Sequence, residues 1–249
     1  MKIITILSQL FLIAISFSCA DSSAKNSTPT ISDKGFAVVE LFTSEGCSSC
    51  PPADAAVANL LKEHASNVYV LGYHVDYWNN LGWKDIFSNA AYTQLQRNYG
   101  RVFQLSSVYT PQIVVNGTDQ FVGSDVNKLN AAVNKDLVQS PTVKLGIEAT
   151  STNNKTVTVN YTTDAADAKL KVALIQLSAE DKIKRGENSG ATLHHVNIVR
   201  DLQTVVASAS GKITLNIPAG LDVKDCRVIA FTQNINDSKI TAATEININ

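Results

Sequence analysis

Ala37-Val38-Val39-Glu40-Leu41-Phe42-Thr43-Ser44-Glu45-Gly46-Cys47-Ser48-Ser49-Cys50-Pro51-Pro52-Ala53-Asp54 is the stretch on which the fold turns. Its first seven residues are β-branched, aromatic or apolar except Glu40, and predict a strand. A short polar loop leads to Cys47 and Cys50. Pro51 and Pro52 cannot donate backbone hydrogen bonds, so they belong before a helix or in its first turn. Ala55, Val57, Ala58, Leu60 and Leu61 then recur at helical spacing from Asp54 to His64. Val68 to Val75 is almost continuously apolar, as in a strand buried on both faces of a parallel sheet. The result is a β-α-β unit with two cysteines at the start of its helix.

Working outward, Asn89 to Arg101 reads as a helix and Gln112 to Val115 as a strand closed by Asn116-Gly117. Gln120 to Gly123 gives a further short strand, and Ser124-Asp125 caps a helix running to about Val138. This alternation is that of an α/β layer arrangement over residues 35–140. Beyond Ser140-Pro141 the apolar period changes to two. Val143, Leu145, Ile147 and Ala149 alternate with polar neighbours, and six more strand-like runs follow, the last at Ile240 to Ile246. That pattern predicts an all-β, β-sandwich-like domain over residues 141–249.

Cys47-Ser48-Ser49-Cys50 admits three chemistries. A zinc site needs a second ligand pair, and distal Cys226 stands alone in an apolar strand. A purely structural disulfide closes a very short loop and adds little stability. A redox pair sits just after the first strand of a β-α-β unit, where unpaired helix N–H groups and the dipole stabilise a thiolate on an exposed first cysteine, Cys47. Cys50, one turn further in, is then placed to attack a mixed disulfide. Thr110-Pro111 immediately precedes a short apolar strand. Thioredoxin-like proteins carry a cis proline at that place, where it offers the backbone of the residue before it, here Thr110, to a bound peptide. A thioredoxin-like fold for residues 35–140 is therefore the expectation.

His74, Asp76, Tyr77 and Trp78 follow the end of the second strand and are expected on the same rim as the cysteines. Trp78 is a candidate contact for a partner polypeptide. His74 with Cys47 and Cys50 offers an alternative soft metal site of two sulfurs and one nitrogen, as for copper. His194-His195 read as surface or cross-strand structure.

The blocks VVELFTSEGCSSCPPADA, HVDYWNNLGWKD, YTPQIVVNG, RGENSGATL and HHVNIVRDL resemble the bacterial secreted family catalogued as domain of unknown function 1223. The resemblance runs from about Ala37 to the C-terminus. It implies a thioredoxin-like N-terminal domain, a β-rich C-terminal domain and an extracytoplasmic location, and names no substrate.

Met1 to Ser18 reads as a signal peptide, with Lys2 before an apolar run that ends at Phe17. Ser18-Cys19-Ala20 resembles a bacterial lipobox, so Cys19 is the candidate lipidated residue, against the alternative of ordinary secretory cleavage nearby. Residues 19–34 are polar and read as a flexible tether. With 21 basic and 22 acidic residues and no basic run, nothing suggests nucleic acid. The expected molecule is exported, faces the periplasm, and touches the membrane through a lipid anchor only. Its expected role is thiol–disulfide exchange with envelope proteins, without a cofactor. The alternatives are a metal carrier and a non-catalytic binding module, and the sequence assigns no oligomeric state.

Overall fold

The first strand, β1 (Ala37–Thr43), is buried along its whole length. It lies at the centre of a computed structural model that describes residues 34–64 and 66–249. The expected signal peptide, the candidate lipidation residue Cys19 and the expected tether up to residue 33 lie outside the described residues. Helix α1 (Pro51–Glu63) has Pro at its first turn and buries Ala53, Ala56, Val57 and Leu60. Strand β2 (Val68–His74) pairs parallel with β1, from Ala37↔Val68 to Thr43↔His74. Helix α2 (Ala90–Val102) is capped by Asn89, whose side chain accepts from the Ala91 N–H at 2.9 Å. Strands β3 (Gln112–Val115) and β4 (Asp119–Val122) continue the sheet antiparallel beyond β1. Helix α3 (Val126–Leu137) starts on Asp125, which accepts from the Lys128 N–H at 3.1 Å. Among the described residues no helix is long and apolar enough to cross a membrane.

Seven strands follow: β5 (Leu145–Thr150), β6 (Thr156–Thr163), β7 (Ala168–Lys182), β8 (Thr192–Val206), β9 (Ser210–Asn216), β10 (Cys226–Asn234) and β11 (Ile240–Asn247). They do not stay apart from the first half. One eight-stranded mixed sheet runs β11-β10-β7-β8-β2-β1-β3-β4, and a three-stranded sheet holds β5-β6-β9. The expectation of a thioredoxin-like α/β domain followed by a separate all-β, sandwich-like domain is thereby corrected. The molecule is mostly strand, with a mixed sheet drawn from both halves and three helices among the described residues.

The joint lies between β2 and β8, which meet in parallel at Gly72↔Ile198. Asn197, at a φ of 49°, donates its side-chain N–H to the Val70 carbonyl at 3.1 Å and so extends the pairing. Opposite β7, β8 carries one extra residue, since Leu174 faces Asp201 and Ile175 faces Val199. A bulge of this kind bends a strand. Period-two alternation locates strands but says nothing of which neighbour each joins, so this junction is invisible to patterning.

Three apolar clusters result. One lies under α2 and draws Phe42, Tyr73 and Tyr99 together with Ile175, Ile229 and Phe231. A second lies under α1 and α3 on the opposite face, around Val39, Leu60, Val70 and Val133. The third fills the space between the two sheets and includes Val159, Leu174, Leu215 and Val228. Cys226 belongs to this last core, where burial pushes its thiol up to about 11.

Candidate functional site

The loop after β1 folds on itself before the helix begins. The Gly46 N–H donates to Ser44 Oγ at 3.1 Å and the Cys47 N–H to the Ser44 carbonyl at 3.1 Å. Cys50 stands at the helix N-cap, and its carbonyl accepts from Ala53 and Asp54 at 2.9 and 3.2 Å. Cys47 and Cys50 are joined as a disulfide, with their Cα atoms 5.4 Å apart. Ser48 and Ser49 are exposed, but both cysteines are 0% accessible. The sequence suggests an exposed Cys47; in the folded molecule it is enclosed.

Several expected neighbours are present. The Thr110–Pro111 peptide is cis and leads into β3. Ser49 Oγ reaches the Thr110 carbonyl at 3.5 Å, and Trp78 Nε1–H donates to Thr110 Oγ1 at 2.8 Å. Trp78 also packs so closely that a Cβ on Gly46 would stand 3.0 Å from its Cβ. Thus Cys47, Cys50, Thr110, Pro111 and Trp78 form one neighbourhood.

His74 is committed elsewhere. Its Nδ1 pairs with Asp85 Oδ2 at 2.6 Å, and its side chain is 1% accessible. Asp85 also accepts from the N–H groups of Glu45 at 2.9 Å and Phe87 at 2.8 Å. Burial works against the Asp85 carboxylate, but His74 and these N–H groups outweigh it and hold the group below its ordinary range. Among the described residues no group of three or more His, Cys, Asp or Glu is arranged to hold a metal.

The sequence reading missed a second ring of groups around the disulfide. His194 points to solvent and pairs with Glu180, whereas His195 is 3% accessible and turned inward. His195 Nε2 lies 3.5 Å from Glu45 Oε1, and its Nδ1 lies 3.5 Å from Asp54 Oδ1. Burial alone lowers an imidazole, but Asp54 and Glu45 overcome it and raise His195 to about 9. Trp83 Nε1–H holds the other Glu45 oxygen at 2.8 Å, and Thr43 Oγ1 holds Asp54 at 3.1 Å. Outside, Glu187 accepts from Ser48, and Asn188 donates to the carbonyls of Glu45 at 2.8 Å and Cys47 at 3.0 Å. One signal for this ring was in the chain: adjacent strand residues face opposite ways, so one of His194 and His195 had to point into the sheet.

The chain is similar to known proteins over most of its length. A crystal structure of a protein from Agrobacterium tumefaciens is 30% identical, with a TM-score of 0.62, covering 88% of this chain and 96% of that one. HBP35 of Porphyromonas gingivalis is 18% identical with a TM-score of 0.56, covering 88% of this chain and 77% of that one, a likeness of fold alone. No curated protein matches. The family model for the protein of unknown function DUF1223 matches residues 38–233, and the chain belongs to that family.

Proposed function

We propose that the protein is a thiol–disulfide oxidoreductase of the cell envelope, acting through Cys47 and Cys50 on the thiols or disulfides of envelope proteins. The observation that carries this reading is the disulfide itself, seated at the N-terminal end of α1 beside Thr110 and Trp78. The positive end of the α1 dipole favours a thiolate on the released sulfur. Thr110, Pro111 and Trp78 supply a polar edge and an indole for a partner polypeptide. Export fits the same reading, since disulfides form and persist in oxidising compartments, and Cys19 is the point at which a lipid would hold the protein there.

Complete burial of both cysteines favours a second reading, a stable clip in a non-catalytic binding module. Expressing Cys50→Ser in the native envelope separates the two. An exchanger accumulates mixed disulfides on Cys47 that dithiothreitol releases; a clip accumulates none, and its pair has a very low reduction potential with slow exchange.

A further inference from the structure

His195 stands on β8, yet the groups that enclose it belong to the first half of the chain. Glu45 precedes Cys47 by two residues and Asp54 follows Cys50 by four, so its two carboxylate neighbours bracket the disulfide loop. Both ring nitrogens of His195 and Glu45 Oε1 are shut off from solvent and make no hydrogen bond among the described residues. Their 3.5 Å separations are those of an ion pair. The remaining polar groups near His195 are accounted for. The His74 ring lies edge-on at 4.8 Å, Asp85 is bound by His74, and the Arg200 guanidinium covers Phe87 at 4.9 Å. His195 is therefore the cation that faces the Glu45–Asp54 pair. Two buried carboxylates without a counter-charge would each cost several kcal/mol.

We propose that His195 is a positioning residue of the Cys47–Cys50 pair, through which the second half of the chain sets how readily the disulfide is reduced. This rests on the thiol–disulfide reading above. In the exchange, a partner thiolate attacks Cys47 Sγ. The bond to Cys50 breaks, and its electron pair leaves on Cys50 Sγ, which takes a proton from solution. The partner's second thiolate then attacks its own sulfur in the mixed disulfide, and Cys47 leaves as a thiolate. The partner departs oxidised by two electrons, and the pair is left reduced by two. Both steps place negative charge on sulfur in a loop already flanked by Glu45 and Asp54. The imidazolium offsets those carboxylates and holds them in place; without it, like-charge repulsion favours the closed disulfide.

Redox equilibria of the full-length protein against glutathione, followed from about pH 6 to about pH 10, test the proposal. With His195→Gln the constant is expected to move about tenfold toward the disulfide at neutral pH. The difference should shrink above about pH 9, where native His195 has also lost its proton. A merely structural role lowers the unfolding midpoint of the variant and leaves the equilibrium of the folded protein unmoved. Constants that agree within about twofold overturn the proposal. Should the variant not fold, NMR titration of His195 in the native protein decides. Its midpoint must differ between oxidised and reduced states, and one midpoint common to both overturns the proposal. Failure of the exchange role itself appears separately, as the absence of mixed disulfides on Cys50→Ser.

Discussion

Glu187 accepts hydrogen bonds from both the backbone N–H and the hydroxyl of Ser48, at 3.2 and 2.7 Å, across 139 residues of sequence. Asn188 adds its two bonds to the carbonyls of Glu45 and Cys47. The β7–β8 connection thus lies against the cysteine loop, and Cys47 beneath it has no accessible surface. An incoming thiolate needs that connection to move.

Glu187→Ala should loosen this latch without unfolding the protein. The bonds lost are at the surface, where a carboxylate contact contributes about 1 kcal/mol or less. If the latch limits access, reduction by dithiothreitol should speed up by roughly fivefold, because local opening governs exposure of the sulfur. Stopped-flow or gel-shift timing of thiol appearance measures this, with thermal unfolding as the control. An unchanged reduction rate would mean that the latch does not gate the disulfide.

The two halves of the chain were unequally legible. The β1–α1–β2 order and the cysteine placement follow from local cues: β-branched residues, paired prolines and helical spacing act within a few residues. Trp78 and Thr110 share a neighbourhood because β3 runs antiparallel to β1, so the loop before β3 opens on the same rim as the loops after β1 and β2. The eight-stranded sheet shared by both halves escaped because β8 reaches β2 through one backbone pairing at Gly72 and the side chain of Asn197. His195, Glu187 and Asn188 escaped for the same reason. Each acts on a loop more than a hundred residues away, and period-two alternation carries no partner information. His74 shows the converse. Its strand-end position was readable, but its commitment to Asp85 was not.

The Glu45–His195–Asp54 cluster predicts how stability changes in mild alkali. The folded-state value of His195, about 9, lies above its ordinary 6.5, so its contribution is complete below about pH 6.5 and disappears as pH rises through 9. The cluster is buried, and the full effect is on the order of 3 kcal/mol. Urea midpoints of the native protein should fall between neutral pH and about pH 10. His195→Gln should be less stable at neutral pH and show a flatter profile there. Equal slopes for the two proteins would remove His195 as the titrating group.

Asp85 predicts the acid side. Its carboxyl is held below the ordinary 3.8, so its contribution is complete above that value and is lost as pH falls through the lower native one. Asp85→Asn keeps the shape, but its amide N–H replaces either Oδ1, which accepts from the Phe87 N–H, or Oδ2, which accepts from the Glu45 N–H and pairs with His74. A loss of about 2 to 4 kcal/mol is expected at neutral pH, since one buried donor is left without an acceptor. Urea unfolding at pH 7 and near pH 3 checks both parts. An Asn variant that matches the native protein at pH 7 would show that the neutral amide satisfies the same ring of donors.

The β3–β4 turn meets the segment that leads into β11, and Gly117 marks the contact. The Ile240 N–H donates to the Asn116 carbonyl at 3.0 Å, joining the start of β11 to the β3–β4 turn. Gly117 has a φ of 71°, and a Cβ there would stand 2.0 Å from the Ser238 carbonyl oxygen. Gly220 has a similar φ of 84° with nothing within 4 Å of an added Cβ. The two glycines thus separate conformational strain from steric docking. Gly220→Ala should cost only the strain, about 1 kcal/mol. Gly117→Ala carries the same strain and must also push the Ser238 backbone away, so a loss of about 3 kcal/mol or more is expected. Because Gln233 holds Ser238 at 2.8 Å and Tyr99 at 2.8 Å, that displacement is transmitted under α2. Near-ultraviolet circular dichroism of the tyrosine cluster should change with Gly117→Ala and stay native with Gly220→Ala. Equal unfolding free energies for the two variants would show that the contact between the β3–β4 turn and the segment before β11 adds no stability.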